Sequence, residues 1–227
     1  MRNNRTLHEP TRPAVGIPWT YFRVPLFLLS ALLLLCLVTG YAPPAGRLNW
    51  FLEVGPGLAG IAVLVITATR FPISHLVYWF CFLHFCIVVY GGYYTYADTP
   101  LGNYIKTALM LSRNPYDRIG HIALGVFPCF IIREVLLRKT PLGPGGWLYF
   151  LVCSVVLAIA AFWELLEWWI TFLVAPEVGQ AYLGTQGDVW DTHWDMLLAL
   201  VGAMIALPLL GRVHDRSMAR VPLRKCP

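Results

Sequence analysis

Six long apolar segments, separated by short polar stretches, dominate the pattern of residues along this chain of 227 residues. Each is close to or above the roughly 20 residues that an α-helix needs to cross about 30 Å of hydrocarbon. The segments are Val24–Tyr41, Phe51–Thr69, Ile73–Tyr94, Asp117–Leu137, Trp147–Val174 and His193–Leu210. Because a backbone in hydrocarbon must satisfy its own hydrogen bonds, the pattern predicts an all-α, polytopic membrane protein with six transmembrane helices in one bundle over residues 24–210.

The two polar ends of the chain complete this organisation. Residues 1–23 contain four arginines and three prolines, and residues 211–227 form a second basic stretch. Both stretches are interpreted as cytoplasmic tails. A basic region before the leucine-rich segment Val24–Tyr41 is also typical of a signal peptide, so cleavage of the first span stays open as an alternative.

The connections between the spans carry predictions of their own. In Asn103–Arg113, apolar and charged residues recur at a spacing that favours a short helix lying at the membrane interface. The stretch Ala175–Asp191 is predicted to be an acidic loop. Within the fourth segment, Pro128 is predicted to bend the helix, because proline cannot donate a helical hydrogen bond.

Composition excludes several classes of protein. Only 13% of the residues are charged, against roughly 25% in ordinary globular proteins. The net charge is +5, but the basic residues flank the apolar segments as they do in membrane proteins, so we expect no nucleic-acid partner. Five of the six cysteines lie within apolar segments and no Cys-x-x-Cys occurs. This usage is typical of small core residues and not of a disulfide or zinc framework.

The distribution of lysine and arginine predicts the orientation. With the amino terminus inside, thirteen basic residues fall on the inner side and four on the outer side. The outer four are Arg47, Lys106, Arg113 and Arg118. Cytoplasmic loops are enriched in basic residues, so the sequence predicts a multi-pass protein with both termini in the cytoplasm.

Acidic and histidine side chains recur at similar depths in three consecutive spans. In this orientation, the outer parts of the fourth, fifth and sixth spans carry the candidate site residues Asp117, His121, Glu164, Glu167, Asp191 and Asp195. Spacings of three or four residues place each pair on one helix face. An ionisable group inside a bilayer costs several kcal/mol unless it is paired, hydrated or bound to a metal. We therefore expect these six residues to converge on one polar site near the outer face.

Some polar residues fit structural roles better. Asp188 follows Gly187 and is interpreted as a turn residue. His84 stands alone near the middle of the third span and is interpreted as a packed or hydrogen-bonded side chain. The acidic residues crowd toward the outer end, whereas His75 lies near the inner end.

Three motifs at these positions resemble a known family. They are Asn114-Pro115-Tyr116-Asp117-Arg118-Ile119-Gly120-His121, Trp163-Glu164-x-x-Glu167-Trp168 and Gly187-Asp188-x-x-Asp191-x-x-x-Asp195-Met196. Together they resemble the YjdF family of bacterial inner-membrane proteins, and the resemblance extends from about the second span to the sixth. It implies a polytopic protein of the bacterial plasma (inner) membrane and names no reaction. VanZ-like membrane proteins show a further, topological likeness, carried by Asp117/His121, Glu164 and Asp188/Asp191/Asp195 with Gly202.

Three functions are compatible with such a site. The first is binding of, or action on, a lipid or lipid-linked envelope substrate. Here the carboxylates and the histidine hold a divalent metal, or one buried carboxyl acts as a general acid or base without metal. The second is a small proton-coupled transporter; the absence of an inverted repeat and the one-sided distribution of acidic residues speak against it. The third is a structural or assembly subunit. Membrane lipids are the expected partners, while enzymatic activity, metal, cofactor and oligomeric state are left open.

Overall fold

The hydrocarbon core of a membrane contains no water to bind the backbone. The apolar segments therefore satisfy their N–H and C=O groups internally by forming helices. In the computed structural model, which describes residues 17–222, every span is helical. The helices are α1 Arg23–Tyr41, α2 Arg47–Thr67, α3 His75–Tyr94, α4 Pro100–Ala108, α5 Tyr116–Val126, α6 Cys129–Lys139, α7 Gly146–Thr171, α8 Pro176–Leu183 and α9 Asp191–Met218, with 3₁₀ turns at Trp19–Phe22 and Tyr96–Asp98.

Six of the helical stretches are long and apolar enough to cross a membrane. They are Trp19–Tyr41, Arg47–Thr67, His75–Tyr94, Tyr116–Lys139, Gly146–Thr171 and Asp191–Met218. Large apolar side chains on their outer surfaces, such as Leu34, Val63 and Ile66, are exposed and available to contact lipid. The predicted all-α, six-span membrane bundle is confirmed.

The fourth span is broken rather than continuous. The helix α5 ends at Val126 and α6 begins at Cys129. Pro128 lies between them and cannot donate a hydrogen bond to the preceding turn. The bend predicted at Pro128 is therefore a break, which separates the polar end of α5 from α6.

The last helix extends past the predicted end at Leu210, so the supposed tail 211–227 is helical as far as Met218. Its polar residues are paired with other helices, because the Nε2 of His214 lies 3.1 Å from Glu134 and Asp215 lies 2.7 Å from Arg133. These contacts make an extended helix favourable where hydropathy alone predicted its end. Residues 1–16 and 223–227 of the predicted tails lie outside the described residues.

Two connections also differ from the sequence predictions. The stretch Ala175–Asp191 is not simply a loop, because Pro176–Leu183 forms α8, with a proline in its first turn where the missing N–H is tolerated. The short helix predicted at Asn103–Arg113 lies at Pro100–Ala108 instead. Thr99 caps its start by accepting a hydrogen bond from the backbone N–H of Gly102, 3.3 Å away.

The helices α5 and α9 approach each other closely at Gly125 and Gly202. A Cβ atom on Gly202 would lie 2.6 Å from the carbonyl oxygen of Ile122, and one on Gly125 would lie 2.0 Å from that of Ala199. Small residues at such crossings allow two backbones to approach closely. This contact sets the distance between the polar residues that α5 and α9 carry one or two turns away.

A polar cluster joins α3, α6 and α9 at the end of the bundle where α3 begins. Glu134 accepts hydrogen bonds from the backbone N–H of Ser74 at 3.0 and 3.1 Å and also binds Arg138. The guanidinium of Arg133 lies 2.9 Å from His214 Nδ1. Arginine can only donate, so Nδ1 accepts and the proton of His214 is on Nε2, which donates to Glu134. We call this the opposite-end cluster.

We predict that Gly202→Ala destabilises the bundle. The new methyl group overlaps the backbone of α5, and overpacking of this kind costs about 1–3 kcal/mol. The melting temperature in detergent should fall by roughly 2 °C or more. Gly211→Ala in the same helix is the matched control, because a Cβ there meets nothing within 4 Å. Equal melting temperatures for the two variants would contradict the contact.

Candidate functional site

Three helices bring the six sequence-predicted residues to one end of the bundle, opposite the cluster at Glu134. The helix α5 carries Asp117 and His121, α7 carries Glu164 and Glu167, and α9 carries Asp191 and Asp195. All but Asp117 are buried, and Asp117 is nearly so. Because α9 begins at Asp191, Asp191 and Asp195 are one turn apart on the same face. We call this the site end.

His121 lies at the centre of these residues. Its Nε2 is 3.5 Å from Glu164 Oε1 and 3.7 Å from Asp117 Oδ1, so it stands between α5 and α7. Within residues 17–222, its Nδ1 is buried and has no hydrogen-bond partner. A buried nitrogen without a partner costs about 1–3 kcal/mol. The site thus contains polar atoms that the protein's own side chains do not satisfy.

Asp117, His121 and Asp195 form a group with the geometry of metal ligands. One ligand atom of each lies within 4.8 Å of the others. Asp195 is 2% exposed, and its Oδ1 has no partner in the described part of the chain. Carboxylate oxygens with an imidazole nitrogen are a donor set that suits zinc or manganese. The three residues can therefore hold a divalent cation.

Arg113 supplies the positive charge of the site. It follows α4, is buried, and forms an ion pair with Asp191 while lying 3.5 Å from Asp117. Burial lowers the pKa of Arg113, but the hydrogen bond to Asp191 and the charges of the nearby aspartates outweigh burial and raise it. Arg113 is therefore cationic inside the protein. The sequence predicts Arg113 only as an outer basic residue. Its partner Asp191 lies 78 residues away in the chain, so no local spacing indicates the ion pair.

Two connections are bound to each other over this ion pair. Asn114 N–H donates to Gln186 Oε1 at 2.8 Å, and Gln186 Nε2 donates to Asn114 O at 3.1 Å. Asp188 accepts from the N–H of Trp190, two residues further on, as expected of a turn residue. It also pairs with Arg118 at 2.6 Å. Asp188 thus forms part of the rim of the site.

A cavity of about 230 Å³ lies beside His121. Its polar lining residues are Glu53, His84, Tyr96, Asp117, His121, Trp163, Glu167 and Tyr182. Aromatic and aliphatic side chains, including Phe85, Val88 and Leu124, form the remaining walls. The cavity therefore combines carboxylates with apolar surface, as ligand pockets commonly do.

Two residues on the cavity wall were not included in the predicted site. Glu53 on α2 is 3% exposed, and it was missed although an ionisable residue in a span is itself a functional signal. His84 was interpreted as a packed residue, but it lines the cavity and its Nδ1 has no partner among residues 17–222. The other polar residues that line the cavity come mainly from α5, α7 and α8, so no local spacing in the sequence connects Glu53 or His84 to the site.

Tyr96 and Tyr182 bring two phenols from outside the spans. Thr95 has a φ of 69°, which turns the chain so that Tyr96 enters the bundle. Glycines make room for its ring, because a Cβ on Gly91 would lie 2.5 Å from it. Burial, and then the charge of Glu53, raises the pKa of both phenols well above the usual value of 10. Both therefore stay protonated and can donate hydrogen bonds.

The fold and the site together define a polytopic α-helical membrane protein with a buried site of carboxylates and histidine. The family described as "Predicted membrane protein (DUF2238)" matches residues 24–216, and the chain belongs to this family. It is also 41% identical over 201 residues to "Inner membrane protein YjdF" of Escherichia coli (strain K12), covering 88% of this chain and 96% of that protein. The resemblance to the YjdF family is confirmed. No solved structure matches.

We predict that Arg113→Gln destabilises the protein strongly. Removing one partner of a buried ion pair costs about 3–5 kcal/mol, because the carboxylates of Asp117 and Asp191 lose their counter-charge. Chemical denaturation in detergent measures the loss.

Arg118→Gln serves as the control for this measurement. The Arg118 side chain is 31% exposed and pairs with Asp188, so its loss should cost about 1 kcal/mol or less. If the two arginine variants are equally stable, the buried ion pair does not hold the site together.

Proposed function

We propose that this protein binds a divalent cation at Asp117, His121 and Asp195 and uses it to bind or act on a phosphate-bearing lipid or lipid-linked substrate. The observation that carries the proposal is the grouping of three ligand atoms within 4.8 Å of one another. Two of these residues, His121 and Asp195, also have buried polar atoms without a partner among the described residues. A bound cation satisfies such atoms.

The balance of charge at the site favours a cation. The one buried arginine near the site in the described chain, Arg113, pairs with Asp191 and Asp117. No lysine or arginine among the described residues pairs with the other three carboxyl groups, which belong to Glu164, Glu167 and Asp195. Uncompensated buried carboxylates are strongly unfavourable unless they are protonated, paired or bound to a metal. A divalent ion supplies the missing positive charge and is itself often the largest charge in such a site.

A phosphate ester fits the chemistry of a cation held in this way. A divalent ion binds phosphate oxygens and polarises the phosphorus, or it lowers the pKa of a bound water. Glu164, whose Oε1 is 3.5 Å from His121, is the carboxylate best placed to accept a proton beside the three ligands. Binding without turnover uses the same residues, so the proposal covers both a binding protein and an enzyme.

The surroundings of the site support a substrate from the membrane. Exposed tryptophans surround the site end, with Trp168 53%, Trp190 60% and Trp194 45% exposed. Tryptophan is enriched at the boundary between lipid and water. We therefore infer that the site lies at the depth of lipid head groups, where a head group can reach it from the bilayer.

We infer that this boundary is the outer one. The excess of basic residues at the other end of the spans supports cytoplasmic termini. It is the distribution of lysine and arginine, thirteen against four, that carries this orientation.

A proton-coupled carrier is the second candidate. The candidate site residues crowd toward one end, but Glu134 and His214 are fully buried at the opposite end. Buried ionisable groups at both ends favour transport. However, Glu134 is bound by Ser74, Arg138 and His214, so the polar atoms of Glu134 and His214 have partners within the protein, as in a structural cluster. The metal-binding function is therefore preferred.

The proposed function predicts that the purified protein binds a divalent metal. Mn²⁺ added to the full chain in detergent should bind with saturation, seen as loss of the free-ion electron paramagnetic resonance signal. His121→Gln and Asp195→Asn should each weaken binding at least about tenfold, because losing one ligand typically costs more than about 1.4 kcal/mol. Glu177→Gln, at an exposed residue of α8, should bind as the wild type does. Equal Mn²⁺ affinity in all four proteins would overturn the proposal.

The proposed orientation of the protein in the membrane can be tested by labelling. Val189 is 85% exposed at the site end, and Arg220 is exposed beyond the end of α9. A membrane-impermeant maleimide should label Val189→Cys in intact spheroplasts and label Arg220→Cys only after lysis. The unsubstituted protein controls for native cysteines. The reverse pattern would place the site on the cytoplasmic side.

A further inference from the structure

The cavity contains two buried carboxylates that the proposed metal site does not use. Glu53 comes from α2 and Glu167 from α7, and both line the same cavity of about 230 Å³. Trp163 Nε1 donates to Glu167 Oε1 at 2.7 Å. Within residues 17–222, no side chain donates a hydrogen bond to Glu53 and no cationic side chain pairs with either carboxylate. Both carboxyl groups line the cavity.

These two glutamates are poor candidates for a second metal site. In the described part of the chain, the one group whose ligand atoms lie within 4.8 Å of one another is Asp117, His121 and Asp195. A metal ion needs several ligand atoms at about 2.0–2.6 Å. Glu53 and Glu167 belong to no such group, so they suit a larger cation that lies between them.

The remaining walls suit an organic cation. Tyr96, Tyr182, Trp163 and Phe85 line the cavity, and aromatic rings attract ammonium groups through their electron-rich faces. The phenols of Tyr96 and Tyr182 stay neutral, as their raised pKa values show, so they add no charge of their own. Carboxylates among aromatic rings are the chemistry that recognises an ammonium group.

We propose that the part of the cavity lined by Glu53, Glu167, Tyr96 and Tyr182 is a subsite for a primary ammonium group, and that the substrate is an aminoalkyl phosphate head group. This inference rests on the proposed function, since it requires the phosphate to lie at Asp117, His121 and Asp195. Both parts are contiguous, because Asp117 and His121 line the same cavity as Glu53. The two ends of one zwitterionic molecule therefore meet charges of opposite sign.

The volume of the cavity matches such a group. At about 30 Å³ of liquid volume per water molecule, a cavity of about 230 Å³ has room for roughly seven waters. An aminoethyl phosphate group has about as many non-hydrogen atoms. The glycerol and acyl chains of a lipid therefore remain outside the cavity, in the membrane.

The test compares two soluble probes, phosphoethanolamine and ethyl phosphate, which differ in the ammonium group. Binding to the full chain in detergent with saturating Mn²⁺ is measured by calorimetry. The wild type should bind phosphoethanolamine about ten- to a hundredfold more tightly than ethyl phosphate, as expected for a charged hydrogen bond. Glu53→Gln should abolish this preference while Mn²⁺ and ethyl phosphate still bind. Glu177→Gln, at an exposed position, should keep the preference.

The possible outcomes separate the two proposals. If Mn²⁺ and ethyl phosphate bind but the ammonium group adds nothing in the wild type, the subsite is wrong and the metal site stands. If neither probe nor Mn²⁺ binds, the proposed function is wrong and the subsite falls with it. Glu167→Gln is the second variant if Glu53→Gln does not fold. A preference that survives in the folded variant of either glutamate overturns that residue's role.

Discussion

The ion pair between Arg113 and Asp191 is the interaction on which the site end depends. Arg113 belongs to the connection between α4 and α5, whereas Asp191 is the first residue of α9, so one buried contact joins parts of the chain that are far apart in sequence. It also brings positive charge within 3.5 Å of Asp117. Without that charge, α5 and α9 would bring uncompensated carboxylates together inside an apolar bundle. The ion pair thus makes an acidic site compatible with a membrane fold.

The close contact of α5 and α9 helps to explain why Asp117, His121 and Asp195 lie near one another. Gly125 and Gly202 allow the two backbones to touch, and His121 lies one turn before Gly125 while Asp195 lies two turns before Gly202. Small residues at such a crossing allow the backbones to come closer than large ones do. One ligand atom each of Asp117, His121 and Asp195 lies within 4.8 Å of the others. The packing of α5 against α9 therefore helps to determine how close these three side chains lie.

The two ends of the bundle place similar residues in different surroundings. Glu134 and His214 find partners for their polar groups within the protein, and the contacts fasten α3, α6 and α9. At the site end, His121 and Asp195 keep buried atoms without partners among the described residues, and two carboxylates face a cavity. Satisfied buried networks rigidify a fold, whereas unsatisfied ones need a ligand, a proton or water. This contrast supports a structural role at one end and a binding role at the other.

Hydropathy was sufficient to predict the six spans, because their length and apolar character are dictated by the bilayer. The convergence of the six candidate residues could also be predicted from the sequence, since membrane depth and helical spacing constrain which side chains can meet. The sequence did not predict the place of Arg113, the place of Glu53 or the extension of α9 to Met218. Each depends on residues from another helix or connection. Glu53 illustrates the limit. An ionisable residue in a span is unusual, but only the packed structure shows that Glu53 lines the cavity and does not face lipid. For membrane proteins of this kind, depth can be read along one helix, whereas the direction in which a charge points is a property of the assembled bundle.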